Sequence, residues 1–404
     1  MAPREALTRA QSQTLTARAL NRATLARQGL LKPIRRADPS DAVRRLASLQ
    51  AQHPEWPPIA LAARAADARS ADLAGALERR SVVRSSLMRT TIHVVAADDL
   101  WPMFTVCQPL RLGQWRLLMK ADPVDSPLGR RMLAAHAVAL DALREQPRSS
   151  LELDRLMAAE VGAEAGSRTR PAWREPDTRI VVRAAWRHLS AFVPLVHVPH
   201  SGEGYGRSLY ATAESWLGTQ RPEIDPAVAR THLARRYFAA FGPASVDDLV
   251  AYVGRGQGGI GPWKAAVENL ADELVELRDE AGRTLLDLAS APRPDEDSAA
   301  PPRLLARWDS LLLSHATKHR GRVIADDHRQ AVFTKNADVR PTFLIDGFVA
   351  GTWNLDRRDG RATIALRPFK RLAAEPRDEL EGEAHRVLTR VASDATDRTV
   401  RFEH

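Results

Sequence analysis

The chain is poor in cysteine. Cys107 is the sole example in 404 residues, so neither a disulfide framework nor a cysteine-type zinc site can be assembled within it, and a reducing cytoplasm is the expected setting. It has no apolar run long enough to cross a bilayer and no signal-like apolar stretch near its start, which argues against membrane insertion and secretion. Lysine is scarce: of 59 basic residues six are lysine and 53 arginine, leaving few candidates for a Schiff-base nucleophile. His315 and His319 lie four apart, but no third ligand and no His-Glu-x-x-His pattern accompanies them. No metal and no cofactor are therefore expected.

What is present is positive charge. The formal net charge is +9 and the isoelectric point about 10.2, a balance that favours a polyanionic partner, nucleic acid before membrane surface. Arginine forms bidentate contacts with phosphates and guanine edges. The same arginine excess also follows from a GC-rich genome, so charge alone does not decide. Hydrophobic residues at 44% and charged residues at 27% are ordinary for a soluble globular chain, and a prior of about 150 residues per domain suggests two to four units.

The stretch from Asp41 to Pro58 organises the rest. Asp38 is a suitable N-cap, Pro39 fits the first helical position, and Val43, Leu46 and Ala47 mark one buried face. The spacing predicts a helix running to about Gln50–Gln52, where Pro54 turns His53 away from helical angles. Gln50 falls where an apolar residue is expected, and a buried amide needs partners or a role. If the chain opens here, Gln50 and Gln52 can face one space. A surface pair at a frayed helix end has the same spacing, so the motif is weak by itself.

Along the chain, helical segments followed by a two-stranded hairpin recur. The first unit covers residues 1–130, with strands at 82–88 and 91–95. The second covers 131–225, with helices at 138–146, 151–159 and 178–191 and strands flanking a 201–206 turn. The third covers 226–290, with helices at 227–241, 246–253 and 262–274 and strands at 273–277 and 283–288. Three helices and a hairpin form a winged helix-turn-helix pattern, and three in tandem form a structural repeat. Such units dock a helix in the major groove, although winged helices also serve as protein scaffolds. Residues 290–302 are a linker by composition. Residues 303–404 read as mostly β, with strands at 322–325, 330–334, 341–345, 348–353 and 362–367. Asp346-Gly347 marks a hairpin, and a helix follows at 377–393. The expected fold is α+β: three tandem winged helix-turn-helix units plus a C-terminal small β-barrel-like unit.

Four stretches taken in order carry a resemblance: Leu49-Gln-Ala-Gln52, Leu87-Met-Arg-Thr-Thr-Ile-His-Val94, Arg307-Trp-Asp-Ser-Leu-Leu-Leu-Ser-His315, and the run Arg340 to Trp353. With these the chain resembles the bacterial winged-helix DNA glycosylases of the AlkZ-like kind over nearly its whole length. The resemblance implies a C-shaped, monomeric clamp on double-stranded DNA with alkylated purines, nucleoid-associated in the cytoplasm. It also implies that Gln50 and Gln52 form the catalytic pair. One branch of that family has Asp at the second position. This chain keeps Gln, as does the branch associated with resistance to DNA-alkylating natural products.

Two amides constrain the chemistry. Glutamine can neither donate a proton as an acid nor remove one as a base near neutral pH; it only gives and takes hydrogen bonds. It can orient a water and stabilise charge by its dipole. That suffices only if the departing base is already activated, as an N7- or N3-alkylated purine is by its positive charge. His53 is a candidate for shaping the pocket or for a capping role, and His93 for a structural hydrogen bond. Lys335, Asn336 and Arg340 are candidate DNA contacts on one loop. The rival reading is a non-enzymatic winged-helix DNA-binding regulator, which would usually be a symmetric dimer.

Overall fold

The computed structural model describes residues 14–35, 38–118, 127–161, 185–200, 208–254, 259–335 and 338–403. The protein is α+β, with three separate sheets among the described residues. The expected 201–206 turn and the first half of the expected 178–191 helix lie outside the described residues. Ala185–Ala191 is a 3-10 segment.

The organising helix starts as its sequence dictates. The Asp38 carboxylate accepts from the Ser40 N–H, and Pro39 opens the helix Pro39–Arg45. It ends earlier than expected: Leu46 closes it and Ala47 takes a left-handed φ of 63°. Beyond that turn Leu49–Gln50 is a short strand, paired antiparallel with Ile92–Ala96 so that Gln50 faces His93. Gln50 is thus not on a helix. The cause is tertiary: Leu46 and Leu49 enter a core shared with the C-terminal sheet, while Ala47 enters a second core with Val83, Phe104 and Tyr252. A continuous helix could not pair Leu49 and Gln50 with Val94 and His93 as a strand.

Strands Val82–Ser86 and Ile92–Ala96 form the expected hairpin. A 22-residue helix, Ala97–Leu118, follows it. The first two expected units share one six-stranded sheet, because Ser85 pairs with Val196 and the Ser85 hydroxyl donates to the Leu195 carbonyl at 2.7 Å. In the third, Ser245 caps Val246–Val253 through a reciprocal bond with Asp248. Strands Leu274–Asp279 and Thr284–Leu288 pair antiparallel, and Thr14–Leu15 adds to them in parallel.

The C-terminal region departs from expectation in three ways. Its five strands form an open sheet, in the order Arg303–Leu305, Thr342–Ile345, Phe348–Arg358, Arg361–Pro368, Asp397–Phe402, rather than a barrel. Helix Ala374–Val391 buries Leu380, Ala384 and Leu388 in the core beneath it. No strand forms at 322–325 or 330–334: 323–325 is an irregular link between the helical turns Thr317–Arg322 and Asp326–His328, and Arg329–Val332 is helical with Phe333 in a single bridge to Val339. Two aspartates begin the second of these, and Asp326 pairs with Arg329 at 2.7 Å, an arrangement that favours a helical start. Finally, residues 290–302 are strapped to the first helix, Ala17–Arg27: Arg18 and Arg22 donate to the carbonyls of Glu296 and Ser298 at 2.9 and 2.8 Å. At the Asp346-Gly347 turn both φ are positive, 48° and 82°, as a tight hairpin requires.

Candidate functional site

Extended backbone at Leu49–Gln50 continues through Ala51, whose N–H donates to the Ile92 carbonyl at 2.8 Å. Residues two apart on such a chain share a side. The two glutamines accordingly converge on one turn: Gln50 Oε1 accepts from the Thr91 hydroxyl at 3.3 Å, and Gln52 Oε1 faces the Ile92 N–H at 3.5 Å. Gln50 is buried and Gln52 exposed. No protein acceptor among the described residues takes the amide N–H groups of either.

The pair rests on rigid material. Arg84 donates to the Ala51 carbonyl at 3.1 Å. Beneath Gln50 a cavity of about 10 Å³ is bounded by Ser48, Arg64, Trp308 and Asp309, a volume at the lower limit for one water. Arg64 and Asp309 are both buried and meet through two bonds of 3.0 and 2.6 Å. Asp309 also accepts from the Leu311 N–H at 2.9 Å, so its carboxylate is committed to structure.

His53 is exposed and stacks on Trp308, with ring centroids 5.2 Å apart, while its Nδ1 lies 3.5 Å from Glu55. Trp308 has a φ of 53°, a left-handed conformation that a bulky side chain rarely adopts. Its N–H donates to the Val339 carbonyl at 3.1 Å, and the neighbouring Arg307 pairs with Asp338 at 2.6 Å. Those contacts fasten Asp338 and Val339 to the segment that carries Trp308. Lys335 and Arg340 are exposed on the same loop, but nothing joins either to the glutamines. Asn336 lies outside the described residues.

His93 is fully buried, with Nδ1 bound to the Thr91 carbonyl at 3.0 Å, a structural role. Burial first, then the positive fields of Arg89 and Arg111, push its imidazole down to about 3. A neutral ring donates from Nδ1 here and leaves Nε2 without a partner. His315 and His319 are likewise engaged: Arg322 donates to His315 at 2.6 Å, and His319 meets the Asp248 carboxylate at 2.6 Å. Sequence reasoning missed Thr91 and Trp308 as site residues. Both stand inside recognisable stretches, but no spacing rule marks a hydroxyl opposite a strand or a left-handed tryptophan.

An α+β chain that displays amides rather than carboxylates at such a turn falls, by its sequence match, among the DNA glycosylases. The model of the family described as DNA glycosylase AlkZ-like matches residues 43–390, and the chain belongs to that family. A curated relative, the interstrand DNA cross-link repair glycosylase of Streptomyces sahachiroi, is 24% identical over 370 residues, covering 88% of this chain and 92% of its own length. The solved structure of Streptomyces sahachiroi DNA glycosylase AlkZ matches with a TM-score of 0.75 at 22% identity, over 97% of this chain and 100% of that one. The likeness is one of fold.

Proposed function

We propose that the protein is a monofunctional DNA glycosylase that excises cationic N7-alkylpurines, with Gln50 and Gln52 positioning the attacking water. The observation that carries this reading is the convergence of two amide oxygens on Thr91–Ile92, each taking one bond from the protein and keeping a second lone pair for a water. Water oxygen bonds to C1′ as the C1′–N9 bond breaks, and the bond electrons neutralise the alkylated ring, which leaves as an uncharged base. The water proton passes to solvent. The amides accept hydrogen bonds from the water and place their dipoles against the developing positive sugar. No acid is needed, because the lesion supplies the charge that a protonated base would.

The His53–Trp308 stack offers an aromatic surface beside the glutamines, and a cationic purine is well suited to such a face. Three winged units would form a monomeric, C-shaped clamp, with the 334–340 loop reaching DNA through Lys335, Asn336 and Arg340. The S. sahachiroi relative is named for interstrand cross-link repair, which supports interstrand crosslinks as substrates; their linkage through N7 and a role in self-resistance belong to the proposal. The test is incubation with duplex carrying N7-methylguanine, followed by alkaline cleavage of abasic sites. Strand scission only after alkali is expected. Specific binding to an unmodified sequence with no scission would mean a regulator instead.

A further inference from the structure

The hairpin that carries Thr91 turns through Met88–Thr90, where Arg89 and Thr90 both take left-handed φ, 53° and 58°. Across from it Gly254, with φ 119°, ends helix Val246–Val253. A Cβ there would stand 3.2 Å from the Arg89 Cα, so glycine is what lets that helix end close on the turn. Between them opens a cavity of about 460 Å³, whose polar lining is Arg89, Thr90, Gln114, Thr317 and Arg320.

Among the described residues no carboxylate lines this cavity. Two of the buried arginines meet acids, Arg27 with Asp287 and Arg64 with Asp309, while Arg111 and Arg322 bond neutral groups inside the core rather than lining this cavity. Here Arg89 donates to the Tyr252 carbonyl. Arg320 donates to the His315 carbonyl at 3.2 Å, with its guanidinium 4.7 Å over the Phe333 ring. Neither has a carboxylate partner among the described residues. Burial, then the field of Arg89, lowers Arg320 to about 10. Like charges held together in partial burial are costly unless an anion joins them. The helix end at Gly254 contributes an opposing half charge at most, by the usual figure of about 0.5 for a helix terminus, against two full cations.

We propose that this cavity grips a DNA backbone phosphodiester beside the target nucleotide, with the guanidinium groups of Arg89 and Arg320 as its donors. Thr90 on the rim directly precedes Thr91, whose hydroxyl donates to Gln50 at 3.3 Å, so one peptide bond and one hydrogen bond separate the grip from the amide pair. The proposal rests on the glycosylase reading only for its placement beside a target nucleotide. Guanidinium forks suit tetrahedral oxyanions, and the Thr90 and Thr317 hydroxyls and the Gln114 amide can serve the remaining oxygens.

The test uses the full chain and an undamaged duplex, with fluorescence anisotropy across a salt series. Arg320→Gln and Arg89→Gln should each weaken binding and lower the slope of log affinity against log salt by about 0.9, the value for one phosphate contact. Arg320→Lys should keep most of the slope. Unchanged affinity and slope in Arg320→Gln, with a wild-type melting temperature, overturn the proposal even if Arg89→Gln does not fold. At fixed ionic strength inorganic phosphate should compete with duplex in the wild type and not in Arg320→Gln. Phosphate competition with no change in the DNA slope would mean a free-phosphate site and also overturns it. Excision of N7-methylguanine by the wild type is scored separately. Excision with unchanged slopes defeats the phosphate grip alone, and altered slopes without excision defeat the glycosylase reading alone.

Discussion

Removing one amide separates chemistry from grip. Gln52 is exposed and contributes no charge, so Gln52→Ala should leave folding and duplex affinity intact. Excision should fall about a hundredfold, on the order of 3 kcal/mol of barrier for one lost positioning dipole. Gln50→Ala should lose as much activity and also cost some stability, because Gln50 is buried and partners Thr91. Single-turnover excision and anisotropy measured side by side check both; normal excision by the two variants would remove the glutamines from the mechanism. The histidines behave differently. His93 and His315 are each buried and held down to about 3, so the folded chain does not protonate them in mild acid, whereas the unfolded chain does below about 6.5. Their contribution is fully present above that value and is lost as pH falls toward 3, at roughly 1.4 kcal/mol per pH unit for each. Denaturant midpoints should therefore decline between pH 6.5 and 4, and His93→Gln should flatten that decline. Excision should show no titration from His93 between pH 5 and 8.

At the scale of elements, the turn at Ala47 decides where the glutamines stand. A buried residue with φ 63° tolerates no β-branch, and added volume in a filled core costs a further 1–3 kcal/mol or so. Ala47→Val should destabilise the protein by about 2–4 kcal/mol and shift the Leu49–Gln50 strand, so that excision falls even under conditions where the variant remains folded. Urea titration and single-turnover rates test this together. That turn also shows where sequence stops being legible. Asp38 and Pro39 announce the helix start by local chemistry, and Asp346-Gly347 announces its hairpin. Nothing local makes alanine left-handed; the chain turns there from the helix into the Leu49–Gln50 strand, which is held by pairing with Ile92–Ala96. Helix Ala97–Leu118 is hidden by Pro102 and Pro109 within it, since proline normally argues against a helix interior. Apolar Val323-Ile324 and Val332-Phe333 read as strands because their burial, not their period, is what the sequence displays. For the site, the Gln-x-Gln pair could be singled out before the structure was known, but its Thr91 anchor and the Trp308 stack depend on pairing across the chain.

Over the whole molecule, the first helix is the element that locks distant regions into one body. From Ala17–Arg27, Asn21 donates to the Arg322 and Gly347 carbonyls, each at 2.8 Å, and Arg27 reaches Asp287 on strand Thr284–Leu288 at 2.5 and 2.7 Å. Arg27 and Asp287 are almost completely buried, and Arg293 from the 290–302 segment donates to the same carboxylate at 2.6 Å. A carboxylate shared by two arginines is worth little as a pair compared with well-packed apolar residues, but removing it strands a buried cation. Asp287→Ala should thus cost about 3–5 kcal/mol. It should also release residues 290–302, whose carbonyl at Pro292 leans on Arg27 at 3.2 Å. Limited proteolysis should cut the variant within 290–302 much faster than the wild type, in step with the loss of stability seen by urea titration. Equal cleavage rates would mean that the segment is held by the Arg18 and Arg22 contacts alone.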